Sequence, residues 1–123
     1  MDFKPNYPIY LQVADFICDK VVCDEWANGE KVPSLKELSV MVSVNPNTVV
    51  KSLAYLQEKN ILESRRGIGY FLSTNAKTKI VEAKKQQFVE ERLPEIFDTM
   101  KLLDISMPEL ETLYQQHNTD SNQ

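Results

Sequence analysis

The sequence of 123 residues has few of the residues that build metal sites and disulfide frameworks. It contains two cysteines, one histidine and three glycines. Cys18 and Cys23 stand five residues apart on a predicted helix and face different sides, and His117 lies far along the chain. This excludes a four-ligand zinc site within one chain. We interpret both cysteines as reduced packing residues, with a redox sensor as the alternative, and we predict no metal and no cofactor.

The sequence also lacks long apolar runs and the pattern of a signal peptide. No apolar stretch approaches the roughly 20 residues that a membrane-spanning helix needs, and the N-terminus has no basic region followed by an apolar one. We therefore expect a cytoplasmic protein with no membrane partner. We also predict that it is not an enzyme, because catalysis needs a positioned acid, base or nucleophile in a cleft. The chain offers one histidine near its end and no plausible triad.

An overall excess of basic residues is missing too, since the formal net charge is −4. The charge is unevenly distributed, however. Residues 31–85 contain ten Lys and Arg against four Asp and Glu, a net charge of +6, and the remaining residues have a net charge of −10. Because salt screens charges beyond about 8 Å, a basic middle can form a local phosphate-binding face between acidic ends. The alternative is an ordinary fluctuation of charge along the chain.

Capping residues and apolar spacing predict a helix-turn-helix in the first half of the chain. Pro8 opens an amphipathic helix that runs to about Asp24. Ser34-Leu-Lys-Glu37 is a capping box, which opens a second helix of about ten residues. Asn45 is a good N-cap and Pro46 suits the first position of a third helix, so only a tight turn separates the second helix from the third.

A β-hairpin is predicted directly after the third helix, which runs from about Pro46 to Lys59. Asn60 can adopt the left-handed conformation that ends a helix. Residues 61–66 and 70–73 then indicate two short strands around Gly67-Ile-Gly69. A hairpin in this position is a wing, and these glycines do not form a dinucleotide-binding fingerprint, because no third glycine or following helix is present.

From Asn75 onward, apolar residues recur at helical spacing in a charged background. Pro94 interrupts this run and predicts a kink or a break, and Ser106-Met-Pro-Glu109 is a second capping box before a final helix to about Gln116. The predicted fold class is mainly α with a small β-hairpin wing: an N-terminal winged helix-turn-helix plus a C-terminal helical dimerisation segment. The predicted parts are the winged domain at 1–74, the dimerisation segment at 75–117 and a disordered tail at 118–123.

The candidate DNA-binding residues lie at the starts of two helices and in the wing. Asn47 offers an amide that can read adenine, Thr48 a hydroxyl and a methyl, and Lys51 a charge for guanine or phosphate. The full predicted set is Ser34, Lys36, Asn45, Pro46, Asn47, Thr48, Lys51, Arg65, Arg66, Gly67 and Gly69. Capping alone is the alternative for Asn45 and Pro46, and an ordinary solvated face is the alternative for the others in the third helix.

A second candidate interface lies in the C-terminal segment. Its apolar stripe is larger than a two-helix appendage can bury within itself, and exposed apolar surface of that extent usually marks an association site. The residues predicted to form a homodimer are Phe88, Val89, Leu93, Ile96, Phe97 and Met100. The alternative is that they pack on their own winged domain in a compact monomer.

Five motifs together resemble the GntR family of bacterial regulators. They are Pro8-Ile-Tyr-Leu-Gln12, Gly29-Glu-Lys-Val-Pro-Ser34, Lys36-Glu-Leu38, Val44-Asn-Pro-Asn-Thr-Val49 and Gly67-Ile-Gly-Tyr-Phe71. They match the family in order and spacing across about residues 8–72, and the short C-terminal segment is similar to the YtrA-type subfamily. The resemblance implies a homodimer, a palindromic operator in double-stranded DNA, and repression, often of a transporter operon.

Three positions depart from the family's pattern. The family usually has arginine where Lys36 stands, many members have arginine where Val50 stands, and Asp24 replaces a common turn glycine. Lysine lacks the two-pronged donor geometry of arginine, so Lys36 suits phosphate contact better than base reading. On this resemblance, Lys51 is expected to replace the function lost at Val50.

The sequence thus predicts a sequence-specific DNA-binding transcriptional regulator, with the effector unknown. The alternative function is a winged-helix module for protein–protein interaction without DNA binding. These two functions differ in salt dependence, because only the first releases counterions from a nucleic acid.

Overall fold

The structure is a computed structural model that describes residues 5–121 in two compact units, which divide between Ala83 and Lys84. The first unit contains α1 (Ile9–Val22), α2 (Leu35–Val42), α3 (Pro46–Glu58), β1 (Leu62–Arg65), β2 (Gly69–Leu72) and the first part of α4 (Ala76–Gln87). The second unit contains the end of α4, a π-helical turn (Phe88–Arg92), α5 (Leu93–Leu102) and α6 (Met107–Ser121). The predicted fold class, mainly α with a small β-hairpin wing, is confirmed.

Residues in the left-handed conformation end the first three helices or follow them closely. Asp24, at the position of the common turn glycine, has φ +62°, and Asn60 has φ +60° after α3, as predicted. Ser43, directly after α2, has φ +54°. Asp and Asn adopt this conformation more readily than other non-glycine residues, because their short polar side chains can bond locally. Asp24 therefore makes the turn without a glycine.

The hydrophobic core of the first unit is built from one face of every helix and from the wing. Its fully buried larger side chains include Val13, Ile17, Val21, Leu38, Val42, Val49, Leu53, Leu56, Leu62, Leu72 and Ile80. Met41, in contrast, is 47% exposed, although it stands three residues after the buried Leu38 in α2. The short strand-like segment at Lys31 also joins the hairpin, through an antiparallel bridge to Phe71.

The start of α4 belongs to the winged domain. Ala76 is 0% and Ile80 is 2% exposed, and both pack in the core cluster of the first unit. The observed division after Ala83 therefore lies later than the predicted division after Thr74. The apolar spacing of the segment predicted a helix, but spacing does not reveal which neighbour the first turns of that helix pack against.

Pro94 does not interrupt the helical path. It has no N–H, and in a regular α-helix its ring would meet the carbonyl group four residues earlier. The chain accommodates it with the π-helical turn, in which the Leu93 N–H donates to the Phe88 carbonyl oxygen five residues back. The predicted kink or break therefore takes the form of one widened turn between α4 and α5.

The final helix, α6, runs further than predicted. The prediction of disorder from Asn118 is wrong for residues 118–121, which are helical, and Thr119 donates to the Gln115 carbonyl oxygen at 3.1 Å. Polar composition suggested disorder, but this stretch contains no glycine or proline to end the helix. Residues 122 and 123 lie outside the described residues. No helix in the described part of the chain is long and apolar enough to cross a membrane.

Candidate nucleic-acid interface

Helix α3 is fixed in the first unit by its buried face. That face consists of three side chains that are at most 1% exposed, Val49, Leu53 and Leu56. Beside them the buried Ser52 hydroxyl lies 2.7 Å from the Tyr10 carbonyl oxygen and 3.1 Å from the Thr48 carbonyl oxygen. The bond to Tyr10 joins α3 to the first turn of α1. The opposite face of α3 is consequently held toward solvent in one orientation.

The exposed face of α3 presents the predicted base-reading residues. Asn47 and Lys51 are exposed, and Thr48 is partly exposed. The Lys51 ammonium lies 4.2 Å from the centroid of the Tyr10 ring, and that ring packs edge-on against Tyr55 with centroids 6.1 Å apart. A cation over an aromatic face is attracted by the ring quadrupole. The charge of Lys51 is thus positioned along the exposed face.

Asn45 and Pro46 serve the start of α3. The Asn45 Oδ1 accepts a hydrogen bond from the Asn47 N–H at 2.8 Å, and Pro46 takes the first helical position. These are the roles that capping predicts. Because the Asn45 side chain is engaged in this way, it fixes the start of α3, and Asn47 is the first exposed side chain after the cap and Pro46.

The capping box at the start of α2 is complete. The Ser34 Oγ accepts from the Glu37 N–H at 3.1 Å, and a Glu37 carboxylate oxygen accepts from the Ser34 N–H at 3.1 Å. Hydrogen bonds from the Ser34 backbone and side chain lower the pKa of Glu37. The Ser34 hydroxyl is thus engaged with Glu37 twice, as an acceptor from its N–H and as a donor to its carboxylate. Lys36 is exposed in the same turn.

The tip of the wing depends on two glycines. β1 and β2 are antiparallel with Arg65 opposite Gly69, and the Ile68 N–H donates to the Arg65 carbonyl oxygen at 2.9 Å. Gly67 has φ +76° and Gly69 has φ +133°. Side chains other than hydrogen disfavour these conformations. Substitution of either glycine would therefore distort the turn that carries Arg66 and pairs Arg65 with Gly69.

In the wing, one arginine packs on an aromatic ring, and a lysine that was not among the predicted site residues lies against the hairpin. The Arg65 guanidinium carbon lies 3.8 Å from the centroid of the Phe71 ring. Lys31 pairs with Phe71, and its side chain runs so close to Gly69 that an added Cβ there would lie 3.0 Å from the Lys31 Cε. Lys31 is the first residue of the basic stretch 31–85 and belongs to the motif Gly29-Glu-Lys-Val-Pro-Ser34. These two facts could have identified it as a candidate site residue. Arg66 is exposed at the turn.

Two other basic residues of the same stretch make contacts at the start of α4. Lys77 forms an ion pair with Asp24 at 2.7 Å, and the Lys79 ammonium donates to the Asn60 carbonyl oxygen at 2.9 Å. Both bonds hold the start of α4 against the rest of the first unit. Because Asp24 lies outside residues 31–85, its ion pair with Lys77 offsets one charge in the net +6 of that stretch, whereas a hydrogen bond to a neutral carbonyl offsets none.

Most of the predicted dimerisation residues are accessible in the second unit. Phe88, Val89 and Phe97 are 43–47% exposed, and Leu93 and Ile96 are partly exposed. Met100 is only 8% exposed within its own chain, so it offers little surface to a partner. Five further exposed apolar or aromatic side chains were not predicted: Leu102, Leu103, Met107, Leu113 and Tyr114.

The remaining ionisable groups show one strong shift. Burial, reinforced by the Asp15 carboxylate that accepts from its hydroxyl at 3.1 Å, raises the pKa of Tyr7 to about 12. Tyr7 thus remains a neutral donor at the start of α1. Within residues 5–121, no three His, Cys, Asp or Glu side chains are grouped closely enough to hold a metal ion.

Comparison with known proteins agrees with this geometry. The family described as bacterial regulatory proteins, gntR family, matches residues 9–72, which extend from α1 through the wing. The chain belongs to the GntR family. It is 35% identical over 108 residues to the HTH-type transcriptional regulator YhcF of Bacillus subtilis, covering 88% of each chain. This GntR-family protein is therefore a DNA-binding transcriptional regulator.

Two further similarities extend beyond the winged domain. The HTH-type transcriptional repressor YtrA of Bacillus subtilis is 35% identical over 98 residues, which are 80% of this chain and 75% of YtrA. A crystal structure of a GntR-family regulator from Bacteroides thetaiotaomicron has a TM-score of 0.79 at 35% identity, covering 92% of this chain and 98% of that one. The similarity to the YtrA-type subfamily is thereby confirmed, and these relatives are regulators rather than enzymes.

Proposed function

We propose that this GntR-family regulator is a cytoplasmic repressor that binds a palindromic operator as a homodimer. The observation that supports this most strongly is the exposed N-terminal face of α3, where Asn47 and Lys51 are held in place by a capped helix start and by the Tyr10 ring. Repression is supported by the similarity to YtrA, which is a repressor. The family resemblance implies repression, often of a transporter operon.

The proposed DNA-binding residues divide into three classes by chemistry. Asn47 has an amide that can donate and accept against adenine in the major groove. Lys36 and Arg66 suit phosphate oxygens, which position a protein on the duplex without reading its sequence. The Ser34 hydroxyl would reach a phosphate by exchanging its bond to the Glu37 carboxylate for one to the DNA. Arg65 and the glycines of the wing suit a close approach to a narrow minor groove.

Dimerisation would come from the second unit. Phe88, Val89 and Phe97 leave a large part of their apolar surface in water in a single chain, and such surface favours association. A twofold dimer would set its two α3 helices about 34 Å apart, one turn of B-DNA, or a multiple of that distance. The proposal therefore requires an operator with two half-sites.

The test is selection of DNA duplexes from a randomised library, followed by titration of the selected duplex at several salt concentrations. We expect a palindromic sequence and a log–log slope of about −5 to −7, for roughly six to eight phosphate contacts in the dimer. A slope near zero, or no binding at low salt, would instead favour a protein–protein interaction module.

A matched pair of variants tests the division of roles. Asn47→Ala should relax the preference at one operator position at a cost of about 1–3 kcal/mol. Arg66→Ala should weaken binding evenly across sequences and reduce the salt slope. Equal losses on every duplex for both variants would show that Asn47 does not read a base.

A further inference from the structure

Val50 is an apolar side chain on the face of α3 that the proposed function directs into the major groove. Every residue of α3 is described, and Val50 is the only large hydrophobic residue of that helix that is exposed, at 44%. The other large apolar side chains of α3 have a place in the core. Val50 belongs neither to the core nor to the partly buried side chains packed against it, so the core does not account for valine at this position.

Val50 lies beside the residues that define the DNA-binding face. Asn47 is three residues before it and Lys51 directly follows it, so Val50 and Asn47 are neighbours on the helix surface with Cβ atoms about 5–6 Å apart. Successive base pairs are about 3.4 Å apart along B-DNA. A base that faces Val50 is thus expected within about two base pairs of the base that Asn47 contacts.

We propose that Val50 is a specificity-determining residue that contacts the 5-methyl group of a thymine in each half-site. This inference rests on the proposed DNA-binding function. Nearly all groups that the base pairs present in the major groove are hydrogen-bond donors or acceptors, and the thymine methyl is the apolar exception. Pressing valine against a donor or acceptor would remove that group from water without a replacement bond, which is unfavourable.

The anchoring of α3 makes this contact selective. Ser52 joins α3 to the first turn of α1, so the helix cannot easily rotate to turn Val50 away from the bases. A pyrimidine without the methyl would leave a gap at the valine rather than a compensating bond. Val50 would therefore select thymine against both cytosine and uracil at one position.

Deoxyuridine provides the test, because it differs from thymidine only by the absent methyl group. Using the selected duplex, each thymine in a half-site is replaced in turn by uracil, and the affinity of the full chain is measured. We expect one position, within two base pairs of the one relaxed by Asn47→Ala, at which the replacement weakens binding about fourfold. In Val50→Ala, the same replacement should have almost no effect.

Val40→Ala is the matched control, since Val40 is an exposed valine on α2 that has no assigned role. Both substitutions introduce alanine at exposed helix positions, where alanine favours helix, so both variants should fold. Val40→Ala should keep the full uracil effect. The inference is wrong if no thymine is sensitive to uracil, or if the sensitivity persists in Val50→Ala. Absence of DNA binding by the unmodified protein would instead overturn the proposed function, and this inference with it.

Discussion

The two units of the molecule differ in where their apolar side chains lie. In the first unit, α1, α2 and α3 each bury a face, and the fully buried side chains come from every helix and both strands. In the second unit, Met100 is the only buried side chain among the described residues 84–121, while Phe88 and Phe97 remain more than 40% exposed. The first unit has a hydrophobic core of its own, whereas most apolar side chains of the second unit are exposed or only partly buried within the single chain.

This difference indicates different sources of stability. A buried apolar side chain stabilises a fold by about 1.5–3 kcal/mol relative to an exposed one, and the first unit gains this at many positions within one chain. A helical segment with a single buried side chain gains little in the same way. The second unit is therefore the part whose stability should depend on a partner, and the partner that the proposed function requires is a second copy of this chain.

The largest expected effect comes from removing apolar surface in the second unit. If the proposed dimer forms through the second unit, Phe97→Ser should leave a monomer and weaken operator binding by about 10²-fold or more, because linking two sites makes the second contact intramolecular. Light scattering and operator titration measure the two effects. Tyr114→Ser is the control, since Tyr114 is an exposed aromatic residue of α6 outside the predicted set. A Phe97→Ser protein that stays dimeric and binds fully would refute this assignment.

A leucine in each unit tests the comparison directly. Leu53 is 0% exposed and Leu113 is 48% exposed. Leu53→Ala should lower the free energy of unfolding by about 2–5 kcal/mol, through lost burial and the cavity left behind, whereas Leu113→Ala should change it by less than about 0.5 kcal/mol. Urea unfolding at one protein concentration gives both values. Similar losses would show that Leu113 is buried in the assembled protein, and the contrast between the units would then hold only for a single chain.

The same contrast explains how much the sequence could predict. In the first unit, the signals were local: Ser34 with Glu37, Asn45 with Pro46, and Asn60 after α3 all have the roles that their neighbours along the chain predicted. Capping bonds join residues two or three positions apart, so they can be recognised without knowing the fold. Most of the proposed interface on α3 follows from them.

Features that depend on distant contacts were not predictable in this way. The place of Lys31 beside Gly69 results from pairing across the sheet, and the burial of Ile80 results from packing against core residues of the same unit that lie much earlier in the chain. The π-helical turn before Pro94 is one of several ways to accommodate a proline. Polar composition after Asn118 does not distinguish a solvated helix from a disordered tail.

The smallest expected effect concerns the capping box of α2, which is local and lies in the first unit. Because its hydrogen bonds with Ser34 lower the pKa of Glu37, folding favours the ionised carboxylate. Its stabilisation is present above the ordinary pKa of glutamate and is lost as pH falls through the lowered pKa of the folded state. Glu37→Gln keeps an acceptor for the Ser34 N–H but cannot titrate. The urea midpoints of the two proteins should therefore converge, or reverse in favour of the variant, as the pH falls from about 6 to 3. A constant difference across this range would mean that the Glu37 charge does not stabilise α2.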